Sequence, residues 1–208
     1  LAILNLNNII PESNDSGISF NTDKFSITLP SKSLREVERF LSSCNKNDFL
    51  SLFVDSGQVI FVSSDQVVTS RTLDGVYPNY LQLIPDKFLN KLQFNRLDFI
   101  SSLERVAVLA EQHNSIIKIT TDKSNKNVLI TVDAQDGGSG SESIPVNIIN
   151  GSIDQIAFNV RYLLEGLKVI NSNEITLEAN APTTPAIFKP VSDKVFFTYL
   201  VMPVQIRA

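Results

Sequence analysis

Tryptophan is missing from this 208-residue chain, and cysteine, histidine and methionine occur once each. A structural zinc site needs about four Cys or His ligands, so Cys44 and His113 supply at most half of one. A single cysteine also excludes an internal disulfide. The same scarcity starves Ser/His and Cys/His nucleophile schemes. No run of eighteen apolar residues occurs and no basic-then-apolar leader opens the sequence, so a soluble cytoplasmic protein without membrane contact is expected. Glycine is sparse, and its one dense stretch, Asp136-Gly137-Gly138-Ser139-Gly140-Ser141, is followed by neither Gly-Lys-Ser/Thr nor a helical pattern. That excludes a P-loop and a dinucleotide fingerprint and leaves a hairpin loop as the expectation. Nor does one sign of charge dominate. The formal net charge of -4 excludes a surface basic throughout, while permitting a local basic face.

What is present points to a globular protein. With 43% hydrophobic and 19% charged residues the chain has material for a substantial core. Cys44 stands in Ser-Ser-Cys-Asn-Lys-Asn, read as a helix end running into a turn, and both Cys44 and His113 are read as structural. Asp133 and Asp136 sit at a hairpin end, where acids are ordinary turn formers rather than a hydrolase pair. Asn14-Asp15-Ser16 and Asn150-Gly151-Ser152 match a glycosylation sequon but are read as turns. The opening Leu1-Ala2-Ile3-Leu4 has strand character and no initiator methionine, so a fragment is expected.

Periodicity organises the rest. Phe25 to Leu29 alternates as a half-buried strand does, Pro30 stops it, and Ser31 is placed as N-cap of an amphipathic helix reaching Leu41. Leu92-Gln93-Phe94 into a helix from Arg96 to Glu111, and Ile156-Ala157-Phe158 into one from Asn159 to Ile170, repeat that layout. Alternating strand segments follow each helix. They are Leu50 to Val54, Val59 to Ser63 and Gln66 to Thr72; Ile116 to Thr121 and Val128 to Val132; and Glu174 to Leu177, Ala186 to Lys189 and Val195 to Met202. The chain therefore repeats a helix-plus-strands unit, with a spacing of 66 positions from Arg39 to Arg105 and of 63 from Arg105 to Lys168.

At roughly 100° per residue, Lys32, Arg35 and Arg39 fall on one side of the first helix, with Leu34, Val37 and Leu41 opposite. Arg161 and Lys168, with Glu165 between them, do the same on the third helix against Leu163, Leu167 and Ile170. Arg105 is the matching cation on the second, beside Asp98 and Ser101. Solvated helix faces commonly carry such residues. Their recurrence in a net acidic chain favours a shared basic surface that attracts phosphates without reading bases.

The segment Ser70-Arg71-Thr72-Leu73-Asp74-Gly75-Val76-Tyr77-Pro78-Asn79-Tyr80-Leu81-Gln82-Leu83-Ile84-Pro85 resembles the linker between the second and third domains of bacterial sliding clamps, the beta subunits of DNA polymerase III. Phe158-Asn159-Val160-Arg161-Tyr162-Leu163-Leu164 and Tyr199-Leu200-Val201-Met202-Pro203-Val204 match the same family in the right order. The resemblance implies an α+β DNA clamp fold of repeated helix-plus-antiparallel-sheet units with helices on one face. It implies the second half of a middle domain over 1–80 and a C-terminal domain over 81–208.

The resemblance further implies a non-catalytic processivity factor without cofactor or metal. Such a ring encircles double-stranded DNA without sequence specificity, as a homodimer when full length. Lys32, Arg35, Arg39, Arg105, Arg161 and Lys168 would then face DNA, and Val108 and Leu109 would lie at the dimer contact. Polymerase subunits, the clamp loader and repair proteins would insert a short peptide into a pocket of Leu1, Pro78, Leu83, Asn159, Tyr162, Thr183, Leu200, Val201, Met202, Pro203 and Val204. Departures from the family pattern are Gln82 and Gln205 where many clamps have arginine, Asn114 where some have an aromatic, and the extra Arg207-Ala208. The alternative is a clamp-fold protein-protein adaptor that does not bind DNA.

Overall fold

A computed structural model describes residues 1–5, 26–45, 48, 50–55, 57–63, 66–110, 114–134, 138–191 and 196–206. In chain order the elements are β1 (Ala2–Asn5), α1 (Ser31–Ser43), β2 (Ser51–Asp55), β3 (Gln58–Ser63), β4 (Gln66–Arg71) and a 3-10 turn (Tyr80–Leu83). Next come β5 (Asn90–Asn95), α2 (Arg96–Ala110), β6 (Ile116–Asp122), β7 (Asn127–Ala134), β8 (Gly138–Pro145) and β9 (Asn147–Asn150). The chain finishes with β10 (Ile156–Asn159), α3 (Val160–Val169), β11 (Glu174–Ala179), β12 (Ala186–Pro190) and β13 (Phe196–Val201). The fold is α+β with antiparallel pairing among the described strands. No described helix is long and apolar enough to cross a membrane.

Two compact units form, one within 14–79 and the other containing β1 and everything from Tyr80 onward. β1 falls in the larger unit. β1 ladders with β13, Ala2 opposite Tyr199 and Leu4 opposite Phe197, so its backbone groups are satisfied in the larger unit.

In the smaller unit the sheet order is β2-β3-β4, and α1 lies over it through Val37 and Phe40, which pack with Val59 and Phe61. Three expectations are corrected here. Leu34 and Leu41 are exposed, because Val37, Phe40 and the half-buried Ser33 and Cys44 form the stripe that faces the sheet. Ser31 is already helical: the cap is Pro30, whose carbonyl accepts from Leu34 N at 3.2 Å, without any side-chain cap. Ser26–Leu29 is not a strand. Ile27 and Leu29 pack onto the small core, and among the described residues the backbone contact is a single bond from Leu73 N to Thr28 O.

The larger unit holds a six-stranded sheet, β1-β13-β12-β11-β5-β9, and a four-stranded sheet, β10-β6-β7-β8. Helices α2 and α3 pack on each other and on strands of both sheets. The core includes Leu92, Phe94, Phe99, Leu103, Ile130, Phe158, Leu163, Leu167 and Phe188. Each helix starts directly from a strand, and an asparagine at the junction caps it. Asn95 Oδ1 accepts from Leu97 N and Asp98 N at 3.0 and 3.1 Å, and Asn159 Oδ1 accepts from Arg161 N at 3.0 Å. Arg96 then donates to Ser172 O and Leu167 O, tying the start of α2 to the end of α3.

The glycine-rich stretch is corrected in part, since Gly138 to Ser141 belong to β8, with Gly140 opposite Val132. A Cβ at Gly140 would meet the Leu109 side chain, so the missing side chain lets this strand lie under α2. Asp136 and Gly137 lie outside the described residues, as do His113, Asn14-Asp15-Ser16 and the side chain of Asp133. Cys44 follows α1, with its thiol donating to Phe40 O at 3.3 Å. Gly151 takes a φ of 65° after β9, a turn in keeping with Asn150-Gly151-Ser152.

Candidate functional site

The C-terminal edge of β13 gathers most of the expected pocket residues. Leu1 and Leu200 exchange both backbone hydrogen bonds, at 3.0 and 2.8 Å, and Ile187 stands opposite Leu200 on β12. Directly opposed residues of an antiparallel pair share a face, so Leu1, Leu200 and Ile187 form one apolar row. Strand parity turns Val201 the other way, into the core shared with the helices. Val201 is therefore packed in the core. Leu200 is also buried, whereas Leu1 is exposed.

Pro203 ends the ladder because it has no N–H to give. The chain then turns, and Val204 N donates to Ala157 O at 2.8 Å, laying the last described residues beside β10. That carries them close to Asn159, the cap of α3. Met202 between these anchors is 54% exposed, and Pro203 and Val204 are half-buried. On the first turn of α3 Tyr162 is exposed, while its carbonyl accepts the Tyr199 hydroxyl at 2.7 Å. Burial, with a smaller effect from Glu165, holds the Tyr199 phenol above its ordinary range, so it remains a donor at neutral pH. Leu83, with Leu81, is exposed on the 3-10 turn. Thr183 is exposed in the turn joining β11 to β12, and Pro78 is exposed in the 14–79 unit.

The candidate basic residues behave differently. Arg39 pairs with Glu36 at 2.9 Å, Lys168 with Glu104 at 2.7 Å, and Arg105 holds both oxygens of Glu142 at 2.8 Å while donating to Ser102. The hydrogen bond from Arg105 holds the Glu142 carboxyl below the usual carboxylate range, and the guanidinium is raised in turn. Arg105 thus reaches sideways to β8. Each of the three aligned cations already has a carboxylate. Lys32 and Arg35 are exposed without an ion pair to a described residue, and Arg161 is exposed on α3. Val108 is exposed at the end of α2, with Leu109 packed inward on the core.

The same row runs on across the sheet to Glu178, opposite Ile187, the one buried charge among the described residues. Glu178, opposite Lys91 on β5, accepts from Lys91 at 2.8 Å and from Lys189 at 2.9 Å. Burial pushes its carboxyl up, but the bonds from Lys189 and Lys91 outweigh burial and hold it below the ordinary value. Among the described residues no group of three or more His, Cys, Asp and Glu could hold a metal ion.

Sequence reasoning passed over Gly166 and Tyr199, which set α3 against β13. The signal was a glycine inside a helical pattern, a position where glycine is costly unless something approaches closely.

The family model described as "DNA polymerase III beta subunit, C-terminal domain" matches residues 81–205. The beta sliding clamp of Synechococcus elongatus is 45% identical over 185 residues, covering 89% of this chain and 49% of the relative. That of Synechocystis sp. is 44% identical over 182 residues, covering 88% of this chain and 46% of the relative. Among solved structures, the DNA polymerase III beta chain of Streptococcus pneumoniae superimposes with a TM-score of 0.81 at 27% identity, covering 91% of this chain and 49% of that one. The chain spans about half the length of the curated relatives it matches.

Proposed function

The chain belongs to the DNA polymerase III beta subunit family, and on that footing we propose that it works as part of a DNA sliding clamp, a non-catalytic, cytoplasmic processivity factor. In this reading 1–80 corresponds to part of a middle clamp domain and 81–208 to the C-terminal one. The observation that supports it is that Met202, exposed at the end of β13, stands between Leu200, which ladders with Leu1, and Val204, which donates to Ala157 two residues before Asn159, the cap of α3. A partner peptide from a polymerase, clamp loader or repair protein would lay one or two apolar anchors there. Each buried anchor contributes roughly 1.5–3 kcal/mol, which after ordering costs leaves binding in the micromolar range. Tethering then raises the effective concentration of polymerase at its template, and that is the rate effect.

Duplex DNA would be held by Lys32, Arg35, Arg39, Arg105, Arg161 and Lys168 through long-range attraction to phosphates, which prefers no sequence and permits sliding. The ring itself would be a homodimer of the full-length protein, with Val108 and Leu109 near its contact.

One observation favours the adaptor reading. Arg39, Arg105 and Lys168 are each paired with a carboxylate, which lowers the attraction they offer a phosphate. Salt-dependent retention on closed circular DNA, measured with the full-length gene product, separates the two. The clamp reading expects retention that weakens when Arg39, Arg105 and Lys168 are together changed to Glu, with a shallower salt dependence. Retention unaffected by that triple change contradicts the phosphate-facing assignment, and no retention at all selects the adaptor.

A further inference from the structure

Strand β8 has little of its own to hold it in place. It ends the four-stranded sheet, laddering on one side with β7 and having no described strand on the other. Its stretch Gly138-Ser139-Gly140-Ser141-Glu142-Ser143 has low strand propensity, and glycine within a strand weakens it further. Of its 8 residues only Ile144 is buried in the core.

The two-residue period puts Gly140, Glu142 and Ile144 on one face, the side that α2 covers. Two side chains of α2, one turn apart, grip that face. A Cβ at Gly140 would stand 2.6 Å from Leu109 Cδ1, so Leu109 lies directly over the strand. Arg105 holds Glu142 as a fork, its Nε and one terminal nitrogen each 2.8 Å from a carboxylate oxygen. The same terminal nitrogen donates to the buried Ser102 hydroxyl at 2.9 Å, so the guanidinium is oriented by its own helix before it reaches the strand.

That fork separates Arg105 from the other paired cations. Arg39 meets Glu36 within its own helix, and the Lys168 ammonium is a point charge on Glu104 that has no planar fork to orient it. Exposed pairs of that kind contribute little and open readily, whereas a bidentate arginine–carboxylate pair is the geometry that does contribute. Arg105 is thus held to β8 more firmly than Arg39 or Lys168 is held to its carboxylate.

We propose that Arg105 is a positioning residue. With Leu109 it latches β8 to α2, and through that strand it sets the strength of the dimer contact expected at Val108 and Leu109. Val108 is exposed next to Leu109, so the latch and that contact share one end of α2. The latch stands on the geometry alone, while its effect on the dimer rests on the clamp reading. Without the fork β8 opens locally, and a contact that closes beside a loosened strand must order it first, at an entropic cost.

Hydrogen exchange of the 208-residue chain tests the latch. Arg105→Lys keeps the charge and loses the fork; it is expected to speed exchange of the β8 amides from Ser139 to Ile144 about fivefold, and Arg105→Gln about tenfold. Exchange in β11, in the other sheet, is expected to stay at the wild-type rate. Arg105→Glu with Glu142→Arg rebuilds the pair with its ends reversed and is expected to restore protection. Sedimentation of the full-length gene product tests the consequence. Arg105→Gln is expected to weaken its dimer about tenfold, and the reversed pair to recover most of that loss. Unchanged β8 exchange overturns the proposal, as does β11 speeding up together with β8. So does a reversed pair that recovers no protection, or a dimer that keeps its strength while β8 loosens. A wild-type full-length protein that is monomeric, with β8 loosened as expected in the variants, supports the latch and contradicts the clamp reading instead.

Discussion

The ring of Tyr199 on β13 lies where any Cβ at position 166 of α3 would stand. Gly166 thereby admits the ring against the helix, and the Tyr199 hydroxyl reaches the Tyr162 carbonyl at 2.7 Å. One close approach fixes the first turn of α3, which carries Tyr162, relative to the end of the strand that leads to Met202.

Gly166→Ala should therefore destabilise the fold by about 1–3 kcal/mol through overpacking, despite the better helix propensity of alanine. Urea unfolding checks it. In a Tyr199→Ala background the same change should cost nothing further, because the two residues act through one contact. An additive result would place the strain elsewhere.

Asn95 and Asn159 should each contribute about 0.5–2 kcal/mol as caps, read as the loss on changing either to Ala. Ser31→Ala, by contrast, should leave stability within about 0.5 kcal/mol, because Ser31 lies inside α1 and makes no cap. Parallel denaturant titrations of the three variants compare them directly.

Glu178→Gln should cost about 1–2 kcal/mol at neutral pH, less than a fully buried pair because Lys91 and Lys189 keep contact with water. The folded-state carboxyl titrates below the reference value of 4.5, so its contribution is complete above that value and is lost as pH falls through the lower folded value. The gap between wild type and variant should therefore close below pH 4.5. Thermal melts across that range would show a constant gap if Glu178 were not held charged.

These contacts also mark where the sequence was readable. Alternation located β3, β6, β7, β11 and β12, and the apolar stripe of α2 and α3 located the helices, because burial on one face leaves a period. β8 left none: Gly-Ser-Gly-Ser-Glu-Ser has no apolar alternation, and only its pairing with β7 makes it a strand. Ser26–Leu29 had the period without a strand partner among the described residues. On α1 the wheel offered Leu34, Val37 and Leu41 as one side, but the sheet meets Val37 and Phe40, a choice that depends on where the helix sits. At the candidate site parity alone separates Leu200 from Val201, and parity becomes meaningful only with the register to β12.

The proposed function requires that the end of β13 receive a partner peptide. Fluorescence anisotropy of a labelled Gln-Leu-Ser-Leu-Phe peptide, titrated with the 208-residue chain and with its Met202→Asp variant, tests it most directly. Saturable binding in the micromolar range is expected, weakened at least about tenfold in the variant, with no change in fold because Met202 is exposed. Absence of saturable binding to the wild type, or equal binding to both proteins, would contradict it.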